Sequence, residues 1–296
     1  MFKIQLILVI IFLSNNILLT DTWGTPKSKY EYISDNQIYK FIVEANRNSE
    51  GKCFGILKKE RFLIDKTIWK ENLINKICPL EAMVTNDGKY VVTFDEWHGV
   101  GKYPIVIYDK NGNLIKEHSL ETLGLKKYVI GLPFFVDGVL KYQESGFIEK
   151  SVSSIYWNEN SIIFFNEQQT KLCIRLHWGL VIVLKLENGE ILNRKDYLDD
   201  KVFIENKIFE YTENLLNSTS DYDLNKGALI AGQEGYKEFI PKLEKLLMNN
   251  AHNQVIPGGE NPEQPYNFYF VRATAIEALK KLNIQVTNVV IKEVIK

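Results

Sequence analysis

The sequence predicts an α+β protein in which an antiparallel β-rich domain precedes an α-helical domain. Two observations carry this prediction. Up to about Tyr197 the chain is a series of short apolar runs separated by turn residues, which is typical of antiparallel strands. After Tyr197 the apolar residues recur at helical spacing. We therefore expect a β domain over residues 23–197 and a helical domain over residues 198–296, with a separate segment over residues 1–22.

The first 22 residues have the layout of an export signal. Lys3 gives a positive start, and an unbroken apolar run follows over residues 6–13. This run is shorter than the roughly 20 apolar residues that a membrane-spanning helix needs, and polar residues 14–16 interrupt it. The segment predicts a signal peptide, with an uncleaved membrane anchor and a buried strand as the alternatives. The expected location is extracytoplasmic (periplasmic, cell-surface or secreted), and membrane contact is expected only if the segment is retained.

Two stretches of the β region are alike. The first reads NDGKYVVTF, loop, PIVIYDKNGNLIKEHSL, and the second reads NENSIIFF, loop, KLCIRLHWGLVIVLKLENGEILNRKDY. Gly112 and Gly189 take equivalent places in Asn-Gly turns. The stretch SDNQIYKFIVEANRNSEGKCFGILKK is a degenerate third copy. Such repetition favours either a propeller-like array or a meandering sandwich, and the sequence leaves both open.

The carboxyl-terminal part contains four predicted helices and one long predicted loop. The helices are expected over residues 203–216, 224–231, 236–248 and 268–282, and the loop over residues 249–264. In the third helix the apolar residues form one stripe, which consists of Phe239, Ile240, Leu243, Leu246 and Leu247.

This part of the chain resembles HEAT-type helical repeats. The stretches that carry the resemblance are GALIAGQEGYKEFIPKLEKLLMNN and FVRATAIEALKKLNI. The resemblance implies helical hairpins with an extended binding face, and a packing role for Arg272 instead of a chemical one. The insertion over residues 249–267 departs from the short turn that is usual in the family. Separately, NDGKYVVTFDEWHGVG with the following YDKNGNL resembles a segment of uncharacterised exported bacterial proteins, which implies no activity.

Charge and motifs exclude several functions. The chain has 36 basic and 37 acidic residues, so nothing indicates a nucleic-acid partner. It contains no GxSxG, HExxH, phosphate-loop or dinucleotide motif, and neither a cofactor nor a metal is expected. Cys53, Cys78 and Cys173 match no metal-binding spacing, so they are interpreted as buried thiols, with one disulfide as the alternative.

Two loops of the β domain contain the candidate site residues. In the first, Asp95 and His98 are candidates for an acid and a base, and Trp97 lies between them. His177 and Trp178 occupy a comparable loop of the later copy. If the loops meet on one face, their indoles are suited to stack on a flat ligand such as a sugar. The alternative is that the tryptophans close the rim of the domain and the charges are solvated.

These observations favour a non-catalytic protein-interaction or scaffold module of the cell envelope. Its expected partner is another envelope or secreted protein, because helical repeats form extended binding faces. The alternative is a carbohydrate-binding or glycan-active protein that uses Trp97, His98, His177 and Trp178.

Overall fold

The computed structural model describes residues 24–47, 51–60, 65–130, 133–136, 139–142, 146–150, 155–158, 160–255 and 266–286. The predicted export signal and the end of the chain after residue 286 lie outside these residues, and so does the Asp137-Gly138 pair, whose residue types favour a hairpin turn. No helix in the described ranges is long and apolar enough to cross a membrane.

The first two-thirds of the chain forms antiparallel strands. They are β1 (Lys29–Ile33), β2 (Tyr39–Glu44), β3 (Phe54–Lys59), β4 (Lys66–Asn72), β5 (Glu81–Val84), β6 (Val91–Phe94), β7 (Ile105–Tyr108), β8 (Leu114–His118), β9 (Pro133–Val136), β10 (Val139–Tyr142), β11 (Glu149–Lys150), β12 (Ile155–Tyr156), β13 (Ile162–Phe165), β14 (Lys171–Arg175) and β15 (Val181–Lys185). The carboxyl-terminal part adds the helices α1 (Lys201–Leu216), α2 (Asp221–Glu234), α3 (Ile240–Leu246) and α4 (Phe270–Lys281), and the strands β16 (Asn253–Val255) and β17 (Tyr266–Phe268). The predicted α+β class is confirmed.

Three sheets make up the main β structure, and each joins strands in chain order. Sheet 1 contains β1–β4, sheet 2 contains β5–β8, and sheet 3 contains β13–β15. The connection from sheet 2 to sheet 3 forms two small antiparallel pairs, β9 with β10 and β11 with β12. We refer to this connection, residues 119–158, as the inserted segment.

Sheet 2 lies between sheets 1 and 3, and its central strands are apolar on both faces. Alternate side chains of a strand point to opposite faces. In β7, Val106 and Tyr108 belong to a core shared with sheet 1, whereas Ile105 and Ile107 belong to a core shared with sheet 3. All four are buried. The inserted segment contributes buried residues to the core between sheets 2 and 3, among them Leu125, Ile148 and Trp157.

The helices cover the other face of sheet 3. Cys173 and Val183 of this face pack in one core with Ile204 and Ile208 of α1. A second core lies among the helices themselves. Helix α2 is close-packed on both sides: a Cβ atom on Gly232 would lie 2.6 Å from the Cα of Ala278 in α4. Glycine costs about 1 kcal/mol in a helix, but here it permits this close approach.

A buried ion pair joins sheet 3 to the helices. Arg175, at the end of β14, has no exposed side-chain surface, and its guanidinium donates to Glu234 of α2 through Nε at 2.8 Å and Nη2 at 2.6 Å. It also donates to the side chain of Gln233 at 2.8 Å and to the carbonyl of Leu176 at 3.2 Å. These bonds satisfy the guanidinium and fix the end of α2 on the sheet.

The first turn of each main sheet has the same hydrogen bonds. The turns span residues 34–39, 85–90 and 166–171. In each, the first N–H donates to the sixth carbonyl, at 2.9, 3.1 and 3.0 Å respectively, and the fourth N–H donates to the first carbonyl, at 2.8, 2.9 and 2.9 Å. The fourth residue has a left-handed backbone, with φ of +59° at Gln37, +67° at Gly88 and +53° at Gln169. The three sheets therefore share one type of first turn.

The three turns are also bonded in a row. The N–H of Asn36 donates to Oδ1 of Asn86 at 2.9 Å, and Nδ2 of Asn36 donates to the carbonyl of Asn86 at 2.8 Å. The N–H of Asn86 in turn donates to Oε1 of Gln169. Gly112 and Gly189 likewise follow the third strand of sheets 2 and 3, and each has a left-handed φ. Sheets 2 and 3 thus have a left-handed glycine at the same point after their third strand.

Some elements differ from the prediction. The two similar stretches of the sequence place the Asn86 turn opposite the turn near Asn158. In the structure the Asn86 turn corresponds to residues 166–171, one strand later. After the Asn188-Gly189 turn the second stretch forms only a bridge between Leu184 and Ile191, where the first stretch has the strand β8, and a 3₁₀ helix (Arg194–Asp200) follows. The predicted loop over 249–264 contains the strand β16, which pairs with β17 just after the predicted end of the loop.

All three cysteines are free and buried. Cys53 and Cys78 belong to the core between sheets 1 and 2, and Cys173 to the core between sheet 3 and the helices. Burial raises the pKa of each thiol to about 12, so none is a ready nucleophile at neutral pH.

Candidate functional site

The loop that contains Asp95, Trp97 and His98 connects β6 to β7 of sheet 2. A two-residue reversal brings Glu96 opposite Gly99: the N–H of Glu96 donates to the carbonyl of Gly99 at 2.8 Å, and the reverse bond is 2.9 Å. His98 lies in the reversal with a φ of +79°, a conformation that non-glycine residues rarely adopt. Trp97 and His98 are therefore presented together at the tip of the loop.

The Glu96 carboxylate fixes this loop to the chain after β4. Its Oε2 accepts the N–H of Lys76 at 2.9 Å, and its Oε1 accepts the N–H groups of Ile77 and Cys78, both at 3.1 Å. Three successive backbone donors thus surround one carboxylate. These bonds to the carboxylate hold residues 76–78 against the loop.

Asp95 faces the interior. Only 5% of the residue is exposed, and its carboxyl accepts the indole N–H of Trp157 at 2.6 Å and the Nδ2 of Asn158 at 3.0 Å. Its backbone carbonyl accepts from Nδ2 of Asn75 at 2.7 Å. Burial raises the pKa of Asp95 to about 7, although the bonds from Trp157 and Asn158 act in the opposite direction. Asp95 therefore joins the inserted segment to sheet 2.

Trp97 and His98 line an open groove of about 570 Å³. The other lining residues come from segments 24–26, 46–47 and 76–77, with Glu96 at the base of the loop. This volume lies within the range of roughly 300–1,000 Å³ that is typical of small-ligand sites. Asp95 is not among the lining residues, so the structure does not bring the candidate acid to the candidate base.

The indole of Trp97 is held in place from three sides. Its Nε1 donates to the carbonyl of Gly24 at 3.3 Å. Its ring centroid lies 6.2 Å from that of Tyr30 and 5.8 Å from that of His98. The side chain is half-buried, so part of the ring surface remains at the groove. Fixed aromatic rings of this kind lose little entropy when a ligand packs on them.

His177 and Trp178 lie in the loop between β14 and β15 of sheet 3, the position that corresponds to the Trp97 loop in sheet 2. The Trp178 ring is stacked on Phe147 of the inserted segment, with centroids 5.2 Å apart, and it also contacts Tyr128 at 5.6 Å. His177 meets the Trp178 ring edge-on at 4.8 Å. These rings extend the core between sheets 2 and 3. The groove at Trp97 contains neither His177 nor Trp178.

No family model matches the chain. No curated protein matches it either.

The groove also contains two residues that no sequence pattern indicates. Arg47 and Lys76 both line it, and both side chains are exposed. They lie 50 and 21 positions before Trp97 in the sequence, in segments without a motif. Among the described residues, no group of three or more His, Cys, Asp or Glu side chains is arranged to hold a metal ion.

Proposed function

We propose that the protein is a non-catalytic binding protein of the cell envelope or the extracellular space, and that it holds a saccharide in the groove at Trp97. One observation carries the proposal. The loop presents an indole and an imidazole at the groove, whereas the carboxyl next to them, Asp95, is bonded to Trp157 and Asn158 in the interior. The groove thus offers ring surfaces for packing without an acid and a base in position for catalysis.

The arrangement of the sheets supports a propeller-like interpretation of the β domain. Each sheet is a meander of consecutive antiparallel strands, and the sheets are stacked with equivalent turns in contact, as the blades of a propeller are. In such an architecture the loops between the second and third strands of each sheet line one end of the stack. This places the Trp97 loop of sheet 2 beside the segment after β2 of sheet 1, which contains Arg47.

A glycan array with the chain lacking residues 1–22 tests the proposal. We expect binding by the unchanged protein, loss of binding by Trp97→Ala, and weaker but measurable binding by Trp97→Phe, which retains a ring but lacks the indole N–H. Tyr222→Ala is the matched control, because Tyr222 is an aromatic residue on α2 that is 74% exposed and lies outside the groove. Thermal melting must show that each variant is folded. The proposal is wrong if the unchanged protein binds no glycan, or if folded Trp97→Ala binds as well as it does.

The helical part supports a second candidate, a protein-docking surface in a HEAT-like module. Tyr222 of α2 stacks on Phe270 of α4 with centroids 5.7 Å apart, and Met248 after α3 is 77% exposed. Arg272 contributes to the same region structurally: its guanidinium donates to the carbonyl of Asn249 and, at 2.7 Å, to Oδ1 of Asn250. Such contacts fit the packing role that the HEAT resemblance implies for this arginine. Tyr222→Ala would then reduce capture of a protein partner, and Trp97→Ala would not.

A further inference from the structure

The charge of the groove bears on the kind of saccharide that it accepts. Arg47 and Lys76 line it, and within the described ranges neither side chain has an ion-pair partner. The one acidic residue of the lining is Glu96, and its carboxylate already accepts three backbone N–H groups from residues 76–78. The two cations are therefore available to a ligand, while the carboxylate is engaged by the protein.

We infer that the ligand is an anionic saccharide, with a sugar ring packed on Trp97 and an acidic substituent bound by Arg47 and Lys76. This inference rests on the proposed saccharide-binding function and adds the charge of the ligand to it. A planar guanidinium matches a carboxylate or a sulfate with two parallel hydrogen bonds, and an ammonium adds a second positive charge. Pro26 and the two rings of the loop provide the apolar part of the same groove.

The acidic group has two chemical sources, the carboxylate of a uronic acid and a sulfate ester. Both are recognised by the same cations, because both present at least two acceptor oxygens that share a negative charge. A neutral sugar would leave the two cations without a counter-charge and would gain only the ring packing. The prediction is that affinity depends on the acidic substituent and falls as salt screens the exposed cations.

Calorimetric titration of the chain without residues 1–22 compares four probes of equal length. They are hexagalacturonate, the same hexamer with its carboxyl groups reduced to alcohols, a sulfated galactan hexamer, and hexaglutamate. We expect one or both acidic sugars to bind about tenfold or more tightly than the neutral hexamer. Hexaglutamate, which has charge without sugar rings, should bind more weakly than the acidic sugars.

The double variant Arg47→Ala/Lys76→Ala should reduce affinity for the acidic sugar by about tenfold or more, without a change in melting temperature. Arg194→Ala/Lys195→Ala is the matched control, because it removes one arginine and one lysine that are exposed outside the groove. This control should retain the affinity of the unchanged protein.

The outcomes separate the inference from the function on which it rests. Equal binding of the neutral and acidic hexamers, unaffected by Arg47→Ala/Lys76→Ala, overturns the anionic inference and leaves saccharide binding intact. If hexaglutamate binds as tightly as the acidic sugars, packing of a sugar ring on Trp97 does not contribute to affinity, and the inference is wrong. If no saccharide binds in the titration or on the glycan array, both proposals are wrong. Binding of only the sulfated or only the uronate hexamer supports the inference and identifies the source of the charge.

Discussion

Sheets 2 and 3 have loops at the same place in their strand order, and both loops contain a tryptophan next to a histidine. In sheet 3 the inserted segment supplies Phe147 and Tyr128, which pack against Trp178. In sheet 2 Trp97 contacts Tyr30 and the carbonyl of Gly24, and its loop borders an open groove. Trp178 packs against Phe147 and Tyr128, whereas Trp97 packs against Tyr30 and also borders an open groove. The surroundings of a repeated loop, more than its residues, thus determine what its tryptophan contacts.

The largest expected difference concerns the two tryptophans. Trp178→Ala should lower the free energy of unfolding by about 3 kcal/mol, because the half-buried ring packs on Phe147, Tyr128 and His177 and against the core between sheets 2 and 3. Trp97→Ala should cost less, about 1–2 kcal/mol, because its ring contacts Tyr30 and His98 and borders the groove. Denaturant unfolding measures both values.

Trp178→Phe sharpens this comparison. Within the described residues the buried indole Nε1 of Trp178 has no hydrogen-bond partner, so a phenylalanine removes no bond and retains most of the packing. It should recover more than half of the stability that Trp178→Ala loses. Equal losses for Trp97→Ala and Trp178→Ala would contradict the assignment of the two loops to different roles.

A second difference concerns the first residue of the sheet 2 loop, Asp95. Its pKa is raised to about 7 in the folded protein from an ordinary value of 3.8, so the folded state keeps its proton to a higher pH than the unfolded chain does. This contribution to stability is complete below about pH 4 and is lost as the pH rises to about 7. The cost of the ionised, buried carboxylate above pH 7 is on the order of 4 kcal/mol.

Asp95→Asn tests this effect, since an amide has no proton to lose in this range. The unfolding free energy of the unchanged protein should decrease between pH 5 and pH 8, and this decrease should be smaller in the variant. Asp199→Asn is a suitable control, because Asp199 is exposed. Identical pH profiles for the unchanged protein and Asp95→Asn would show that the carboxylate is stabilised in the interior by Trp157 and Asn158.

The smallest expected effects concern the first turns of the three sheets. These turns share one geometry but differ in the residue at the left-handed position. Sheet 2 has Gly88 at the left-handed position, and sheet 1 has Gln37 there. Gln37→Gly should stabilise the protein by about 0.5–1 kcal/mol, because glycine adopts a positive φ without strain. Gln169→Gly in sheet 3 should bring little or no gain, because Oε1 of Gln169 accepts the N–H of Asn86. Differential scanning calorimetry compares the two variants, and an equal gain in both would argue against a contribution from the Gln169 bond.

The sequence predicts much of the fold where local patterns are strong. Strands such as β7 and β15 are apolar runs between turn residues, and the four helices lie close to their predicted positions. By contrast, β4 is exposed at every position except Trp69, and β1 alternates between exposed and half-buried residues. Neither contains an apolar run of the kind that predicts a strand.

The site is predictable only in part, for a different reason. The loop from Asp95 to Gly101 has an unusual composition and lies between two core strands, which is why Trp97 and His98 are found from the sequence. Arg47 and Lys76 reach the same groove because sheet 1 is stacked on sheet 2. The orientation of Asp95 likewise depends on Trp157, which lies 62 residues later in the chain. Contacts over such distances leave no local pattern.

The row of bonded turns has a consequence for how the chain folds. Each sheet is closed by contacts between consecutive strands, whereas the bonds between turns join residues 50 and 83 positions apart. Local contacts form faster than distant ones, because they close shorter loops. We therefore expect each sheet to form as a unit before the units dock. Sheets 2 and 3 gain most from docking, since each packs against neighbours on both faces. We expect sheet 2 to be the unit onto which sheets 1 and 3 dock, because it shares one core with each of them.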